Sequence, residues 1–483
     1  MPLKPAMPLV RAGRVAVLAG VLLGLAAGEG RAQSSLPQVG SDPRVSIPTL
    51  PVPGTDDSSV DVIVTLDPRL AVGDHGARQG QAAQVARALG LQPRRAYGTA
   101  LFGFVATVPR GRLEALARDP RVLHVEPDAR VSVPRSQAAA RPGTAEPDTA
   151  AAAIGDAAAG GEQLPWGVAR VCGGRCVNTG SGVHVYAIDT GIDADHPDLK
   201  ALGNGYATVA CQGATCRTAW DDDNGHGTHV AGTIGARSNG SGVVGVAPAA
   251  TLHAVKVLAR DGTGFVSWVL AGIDWVANQA GTPTPHAVVA NLSLTGAGSR
   301  TGSCAAGGYT GTDAYHRALC NAARKGVVFA VAAGNDGADA QQVAPAAYDD
   351  AAIAVSAVGR SGDDPAVLDW PLWSNWGDGY QGGAAVLPAA PVAMAAPGAG
   401  VLSTCNDGGT CTMSGTSMAS PHVAGALALF LQRSPQGGGY AAFANARQGL
   451  LNAAEGTADT AGFVNGSGRP HREVFLNARV PTS

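Results

Sequence analysis

Three residues, far apart in the chain, sit where a side chain could react. Ser417 lies in Gly415-Thr416-Ser417-Met418-Ala419-Ser420-Pro421-His422-Val423-Ala424-Gly425, and an apolar run to Leu431 follows. Crowded small residues before such a run read as a tight turn opening a buried helix. A hydroxyl there meets unpaired N–H groups and a dipole that favour developing negative charge. Asp189 follows Val185-Tyr186-Ala187-Ile188 and precedes Thr190-Gly191. A carboxylate at the end of a buried strand is costly unless a polar group meets it. His226 stands between Gly225 and Gly227, which leave room around its ring. Taken singly, each has an ordinary reading: an N-cap serine, a turn aspartate, and a surface or metal-binding histidine beside His229. Taken together they supply a nucleophilic relay. The hydroxyl needs a base, and histidine has the pKa for that role near neutrality. The base in turn needs a carboxylate to fix its tautomer and stabilise the imidazolium.

A buried sheet must carry these residues. From Gln163 onward the sequence alternates strands, at 183–188, 252–257, 287–294, 327–333 and 353–358, with helices, at 230–236, 265–278 and 312–325. This predicts an α/β domain with a doubly wound, mostly parallel sheet and helices on both faces. The strands are continuous apolar runs, as strands covered on both sides should be. Polar loops at strand ends are where such sheets place their sites. One of these loops carries Ala333-Gly334-Asn335-Asp336-Gly337, in which Asn335 reads equally well as a turn residue.

The preceding chain divides by composition. Residues 1–32 read as a secretory signal, with Lys4, Arg11 and Arg14 ahead of an apolar core from Val15 to Ala27 and small residues at a cut after Ala32. Residues 33–59 are a linker rich in Pro, Ser and Gly. Residues 60–133 form a small αβ module, with strands at 60–64, 101–108 and 122–126 and helices at 81–89 and 113–117. Residues 134–162 are an Ala-rich processing linker without a core-building period, and residues 163–483 are the main domain. No segment after the signal is long and apolar enough to span a bilayer. The net charge of -3 and 15% charged residues give no basic surplus for nucleic acid. The 8 cysteines fall in close pairs, and an exported chain favours disulfides. About 105 connectivities are open, of which sequential pairing is the simplest.

Ala187-Ile188-Asp189-Thr190-Gly191, His226-Gly227-Thr228-His229-Val230-Ala231-Gly232 and Gly415-Thr416-Ser417-Met418-Ala419-Ser420-Pro421-His422 resemble, in this order, the three active-site signatures of the subtilisin-like serine proteases. The resemblance covers roughly residues 163–480. It implies a subtilisin-like fold preceded by a small α+β, ferredoxin-like module. It also implies a serine endopeptidase with Ser417 as nucleophile, His226 as general base and Asp189 as its orienting partner. Asn335 takes the family's oxyanion-donor role beside the Ser417 backbone N–H. Gly262-Thr263-Gly264 and Ser293-Leu294-Thr295-Gly296 resemble the segments that pair with a peptide substrate, although Thr295 stands where the family often has Gly. Ala333-Gly334 and Pro345-Ala346 should line the first specificity pocket, and their small size implies broad specificity for apolar or aromatic side chains. Catalysis needs no cofactor, while Asp198 and Asn239 resemble ligands of a structural Ca²⁺ site. The 60–133 module resembles the family's inhibitory propeptide, so the protein's own N-terminal module becomes its intramolecular inhibitor. The whole reads as a secreted, self-processing monomer that cuts protein substrates. The alternative is a catalytically silent relative used as a binding module, which the presence of all three relay residues opposes. An α/β-hydrolase would need a GxSxG elbow with histidine last.

Overall fold

A computed structural model describes residues 58–135, 161–199, 203–280, 287–361, 364–377, 380–381, 384–385, 392–457, 463–464 and 474–476. The expected signal, most of the first linker and nearly all of the processing linker lie outside these residues.

The N-terminal module has strands β1 (Ser59–Leu66), β2 (Pro93–Tyr97), β3 (Gly103–Pro109) and β4 (Val122–Pro127), with helices α1 (His75–Ala88) and α2 (Leu113–Ala117). Its antiparallel sheet runs β2-β3-β1-β4. The strand period of two divides its apolar residues between faces. Val62, Val64, Phe104 and Ala106 close over the two helices. Ile63 faces the other way, into the core of the main domain, together with Tyr97 and Leu101. Strand β2 has no counterpart in the sequence reading: Pro-Arg-Arg-Ala-Tyr is a polar edge strand, and the apolar alternation that marks a strand is missing.

A further strand, β5 (Arg130–Ser132), leaves the module and joins the main domain. There the elements are α3 (Trp166–Cys172), β6 (Val183–Asp189), α4 (His226–Gly235), β7 (Thr251–Lys256), β8 (Thr263–Phe265), α5 (Val266–Ala280), β9 (Ala287–Leu292) and β10 (Thr295–Ala297). They continue with α6 (Ala314–Ala323), β11 (Val327–Ala332), β12 (Val343–Ala344), β13 (Ile353–Ser361), β14 (Val392–Pro397), β15 (Val401–Thr404), β16 (Thr410–Met413), α7 (Thr416–Arg433), α8 (Tyr440–Ala453) and β17 (Val474–Phe475). The central sheet is mostly parallel: its strands β17-β14-β13-β11-β9-β6-β7 run parallel in that order, and Glu455–Thr457 and Asp364–Asp369 pair antiparallel to β17 and β13. Again the period of two sorts the strands. Val185 and Ala187 face a core with α3, α4, α7 and α8, while Tyr186 and Ile188 face a core with α5 and α6. Helix α7 lies buried across β9, β11 and β13. All four close cysteine pairs form disulfides: Cys172–Cys176, Cys211–Cys216, Cys304–Cys320 and Cys405–Cys411. Among the described residues no helix is long and apolar enough to cross a membrane.

The module docks on α5 and α6 through half-buried carboxylates placed at helix starts, where unpaired N–H groups need acceptors. Asp128 accepts from Ser267 N–H (2.9 Å) and Ser267 Oγ (2.6 Å) at the start of α5. Glu126 accepts from Ala314 N–H, at 3.1 Å, at the start of α6. Asp274 of α5 accepts in return from the N–H groups of Gly98, Thr99 and Ala100, at 3.0, 2.7 and 2.6 Å.

Candidate active site

At the C-terminal edge of the parallel sheet Asp189 meets His226, and helix α7, whose first turn carries Ser417, packs against α4, which opens at His226. Asp189 is the last residue of β6 and is fully buried. Its Oδ1 accepts from Thr190 N–H (2.7 Å) and from His226 Nδ1 (2.8 Å). That bond leaves Nε2 as the imidazole nitrogen available for proton transfer. His226 opens α4, and Gly225 before it has φ +107°, a conformation that a side chain would strain. No side chain at Gly225 caps this helix; Asp222 does so from within the loop. Its Oδ1 accepts from Asn224 and Gly225 N–H (both 3.0 Å), and its Oδ2 from Thr228 N–H (2.9 Å) and Oγ1 (2.7 Å). Burial alone would pull the His226 pKa down. The Asp189 carboxylate beside it, with a smaller contribution from Asp222, outweighs burial and holds the pKa above its ordinary value.

Ser417 is the second residue of α7 and is buried, with its Oγ 3.4 Å from the Ser293 carbonyl oxygen. Four residues on, Pro421 has no N–H to give to the Ser417 carbonyl. Ser293 Oγ donates to that carbonyl instead, at 2.8 Å, and itself accepts from Asn291 Nδ2 (2.9 Å). The Ser293 side chain therefore holds the opening turn of α7 rather than a ligand. Asn335 follows β11, and its Oδ1 accepts from Thr416 N–H (2.9 Å) and Thr416 Oγ1 (2.8 Å). These two bonds fix the amide so that Nδ2 points outward, and it donates to the carbonyl oxygen of Arg135 at 3.1 Å.

The segments read as substrate-pairing are occupied by the chain itself. Strand β5 lies antiparallel between β8 and β10: Ser132 is paired with Thr263 and Thr295, and Val131 with Gly264 and Gly296. Val133 N–H extends the ladder to the Gly262 carbonyl (2.9 Å). A Cβ on Gly262 would come 2.9 Å from Val133 Cγ2, so a glycine is what lets the tail approach. Leu294, Ala333 and Ala346 are fully buried.

Asp198 and Asn239 do meet, as a hydrogen-bonded pair. Asp198 Oδ1 accepts from Asn239 Nδ2 (2.9 Å) and Oδ2 from Val243 N–H (3.1 Å), while Asn239 Oδ1 accepts from Ser241 N–H (3.0 Å). The loop turns N–H groups toward the carboxylate, whereas Ca²⁺ takes six to eight oxygens. In this arrangement the donor set does not fit the ion. His229, the other metal candidate, gives its Nε2 to the carbonyls of Val401 (3.0 Å) and Cys411 (3.2 Å). Burial pushes its pKa down to about 3, so it is a neutral structural donor.

One residue that the sequence reading passed over is Lys256, paired with Asp189 across β6 and β7 and fully buried. Its ammonium donates to the carbonyls of Thr190 (2.5 Å) and Leu258 (3.0 Å) and to Asp223 Oδ1 (2.6 Å). It thus ties the turn after Asp189 to the loop before His226. Only its place inside the run Val255-Lys256-Val257-Leu258 hinted at burial. Lys256→Met removes the ammonium from the buried Asp223 side chain, which keeps the Gln212 N–H at its other oxygen, and should destabilise the fold by about 3–5 kcal/mol. Chemical denaturation in a Ser417→Ala background, which prevents self-digestion, measures this; a loss below about 1 kcal/mol would contradict it.

A family model described as the subtilase family (Peptidase_S8) matches residues 180–470. The extracellular serine proteinase of Thermus sp. (strain Rt41A) is 36% identical over 78% of this chain and 79% of its own. Subtilisin Savinase of Lederbergia lenta is 39% identical over 57% of this chain and 86% of its own. Among solved structures, a cold adapted subtilisin-like serine proteinase superposes with a TM-score of 0.50 at 30% identity, covering 65% of this chain and 97% of that one. The S41 psychrophilic protease gives a TM-score of 0.53 at 32% identity, covering 66% and 99%.

Proposed function

The chain belongs to the subtilase family of serine endopeptidases, and from this premise we propose that Ser417, His226 and Asp189 are its catalytic relay and residues 60–133 its inhibitory propeptide. The observation that carries the reading is the polypeptide already lying in the cleft: a strand, β5, between β8 and β10, followed by a tail in which the Arg135 carbonyl accepts from Asn335 Nδ2 at 3.1 Å. In catalysis the Ser417 hydroxyl leaves the Ser293 carbonyl and gives its proton to His226 Nε2 as Oγ adds to a substrate carbonyl. Asp189 stabilises the resulting imidazolium. Asn335 Nδ2 and the Ser417 N–H receive the oxyanion. His226 then protonates the leaving amine, and water hydrolyses the acyl-enzyme. Recognition through the backbone ladder makes few demands on sequence, and the small residues Ala333, Gly334 and Ala346 support broad specificity toward apolar side chains. The signal-like N-terminus, and a relative named as an extracellular proteinase, support secretion. The mature enzyme acts as a monomer. No step draws on calcium.

The test is digestion of denatured casein by the purified protein, with the products mapped by mass. Many cuts after varied, mostly apolar residues are expected. A folded protein that binds its propeptide and cuts nothing would restore the binding-module reading. Asn335→Ala should lower kcat by about 10²–10³, the size known for this donor in the family, with little change in KM. A purely structural role for Asn335 would instead show as lost stability at unchanged kcat.

The pH profile follows from the charges around His226. The reaction needs the neutral ring, so kcat/KM should rise along a limb centred above the ordinary histidine value of about 6.5. Asp222→Asn removes a negative charge that favours the imidazolium, so its limb should lie at lower pH than that of wild type. Rates of both proteins from pH 5 to 9 decide the matter, and an upward shift in the variant would contradict the assignment.

A further inference from the structure

We propose that the bond cut when the chain matures is the one on the carboxyl side of Arg135. The inference rests on the relay assignment above and adds the identity of its first substrate. Strand β5 fixes the register of the tail by pairing on both sides, and the Val133–Gly262 bond carries that register one residue further. Pro134 is buried and offers no N–H that would need a partner; it also holds Val133 in extended backbone. The next carbonyl, that of Arg135, is the one Asn335 Nδ2 reaches. The donor cannot drift to a neighbouring bond, because Thr416 pins its amide through two hydrogen bonds. Along an extended chain the neighbouring carbonyl lies about 3.3 Å away and points to the opposite side. A donor fixed in place therefore selects one carbonyl.

The chemistry at that carbonyl closes without a co-reactant other than water. Ser417 Oγ adds to the Arg135 carbonyl carbon while His226 Nε2 takes its proton. The bond from that carbon to the following nitrogen breaks, and the nitrogen leaves with the proton as the new α-amine. Water then adds to the ester, freeing the Arg135 carboxylate and restoring the hydroxyl. The Arg135 side chain is exposed. The cut is therefore set by the position of the tail in the ladder, and arginine itself is not read.

The experiment follows the full-length protein and reads both ends of the first cleavage products by mass. Wild type and Arg135→Ala should both give an N-terminal fragment that ends at residue 135 and a partner that begins Ser136-Gln137-Ala138. Deleting Pro134 should slide the cut by one residue, so that the fragment ends at Ser136. Ser417→Ala should give neither product. Ser417-dependent cleavage after Pro134, or first cleavage anywhere within 137–162, overturns the bond assignment and leaves the relay reading standing. Loss of the cut in Arg135→Ala overturns the claim that position alone selects it. Cleavage in Ser417→Ala, by contrast, removes the self-processing reading itself.

Discussion

Ser417→Ala is expected to remain full-length and to lose about 10⁶ in kcat, the scale known for removing the nucleophile in this protease family. The size follows from what remains. Asn335 stays pinned by Thr416, and β8 and β10 are untouched, so a substrate peptide that replaces the propeptide tail still binds and its carbonyl is still polarised. What disappears is the only group that can form the acyl-enzyme, together with the proton that His226 would accept. The substitution removes one oxygen from a buried helix start whose opening carbonyl is held by the Ser293 hydroxyl, so the fold should survive. Casein hydrolysis, thermal unfolding and gel mobility measured together separate a silent folded protein from a misfolded one. Residual activity within about 10²-fold of wild type would exclude Ser417 as nucleophile.

Asp189→Asn should cost about 10⁴ in kcat while KM changes little. Asp189 Oδ1 serves two donors, Thr190 N–H and His226 Nδ1, and Oδ2 is buried without a hydrogen-bond partner among the described residues. An asparagine that keeps its oxygen at the Oδ1 position buries an amide N–H₂ with no acceptor. Turned the other way, it presents N–H to Nδ1 and forces the wrong tautomer. In both cases the charge that stabilises the imidazolium is gone. Because that charge also holds the His226 pKa up, the remaining activity should have its limb at lower pH. Steady-state kinetics over pH test both parts. A loss below tenfold, or a limb moved to higher pH, would contradict the role given to Asp189.

The three relay candidates could be picked out in the sequence because each is marked by its immediate neighbours. Asp189 ends an apolar run, His226 follows the glycine with positive φ, and Ser417 opens a helix of small residues. The alternation of the main domain was legible for the same reason, since strand and helix periods are local properties. What the sequence hid depends on partners far along the chain. Strand β5 is three residues, Arg-Val-Ser, with no strand pattern of its own, and it exists by pairing with residues near 264 and 296. Lys256 reads as any lysine until Asp223, Thr190 and Leu258 are seen around it. Asp198 and Asn239 suit a cation by residue type, and only the direction of the surrounding N–H groups shows the carboxylate already satisfied. The capping of α5 and α6 by Asp128 and Glu126 likewise joins residues more than a hundred positions apart.

The central claim is that Ser417 is a nucleophile activated by His226. The most direct measurement treats the mature protein with a fluorophosphonate and locates the adduct by peptide mass. The account predicts one phosphonyl group per chain, on Ser417, with activity lost in proportion and no labelling in His226→Ala. An adduct on another residue, or a folded wild-type protein that takes no label, would contradict it.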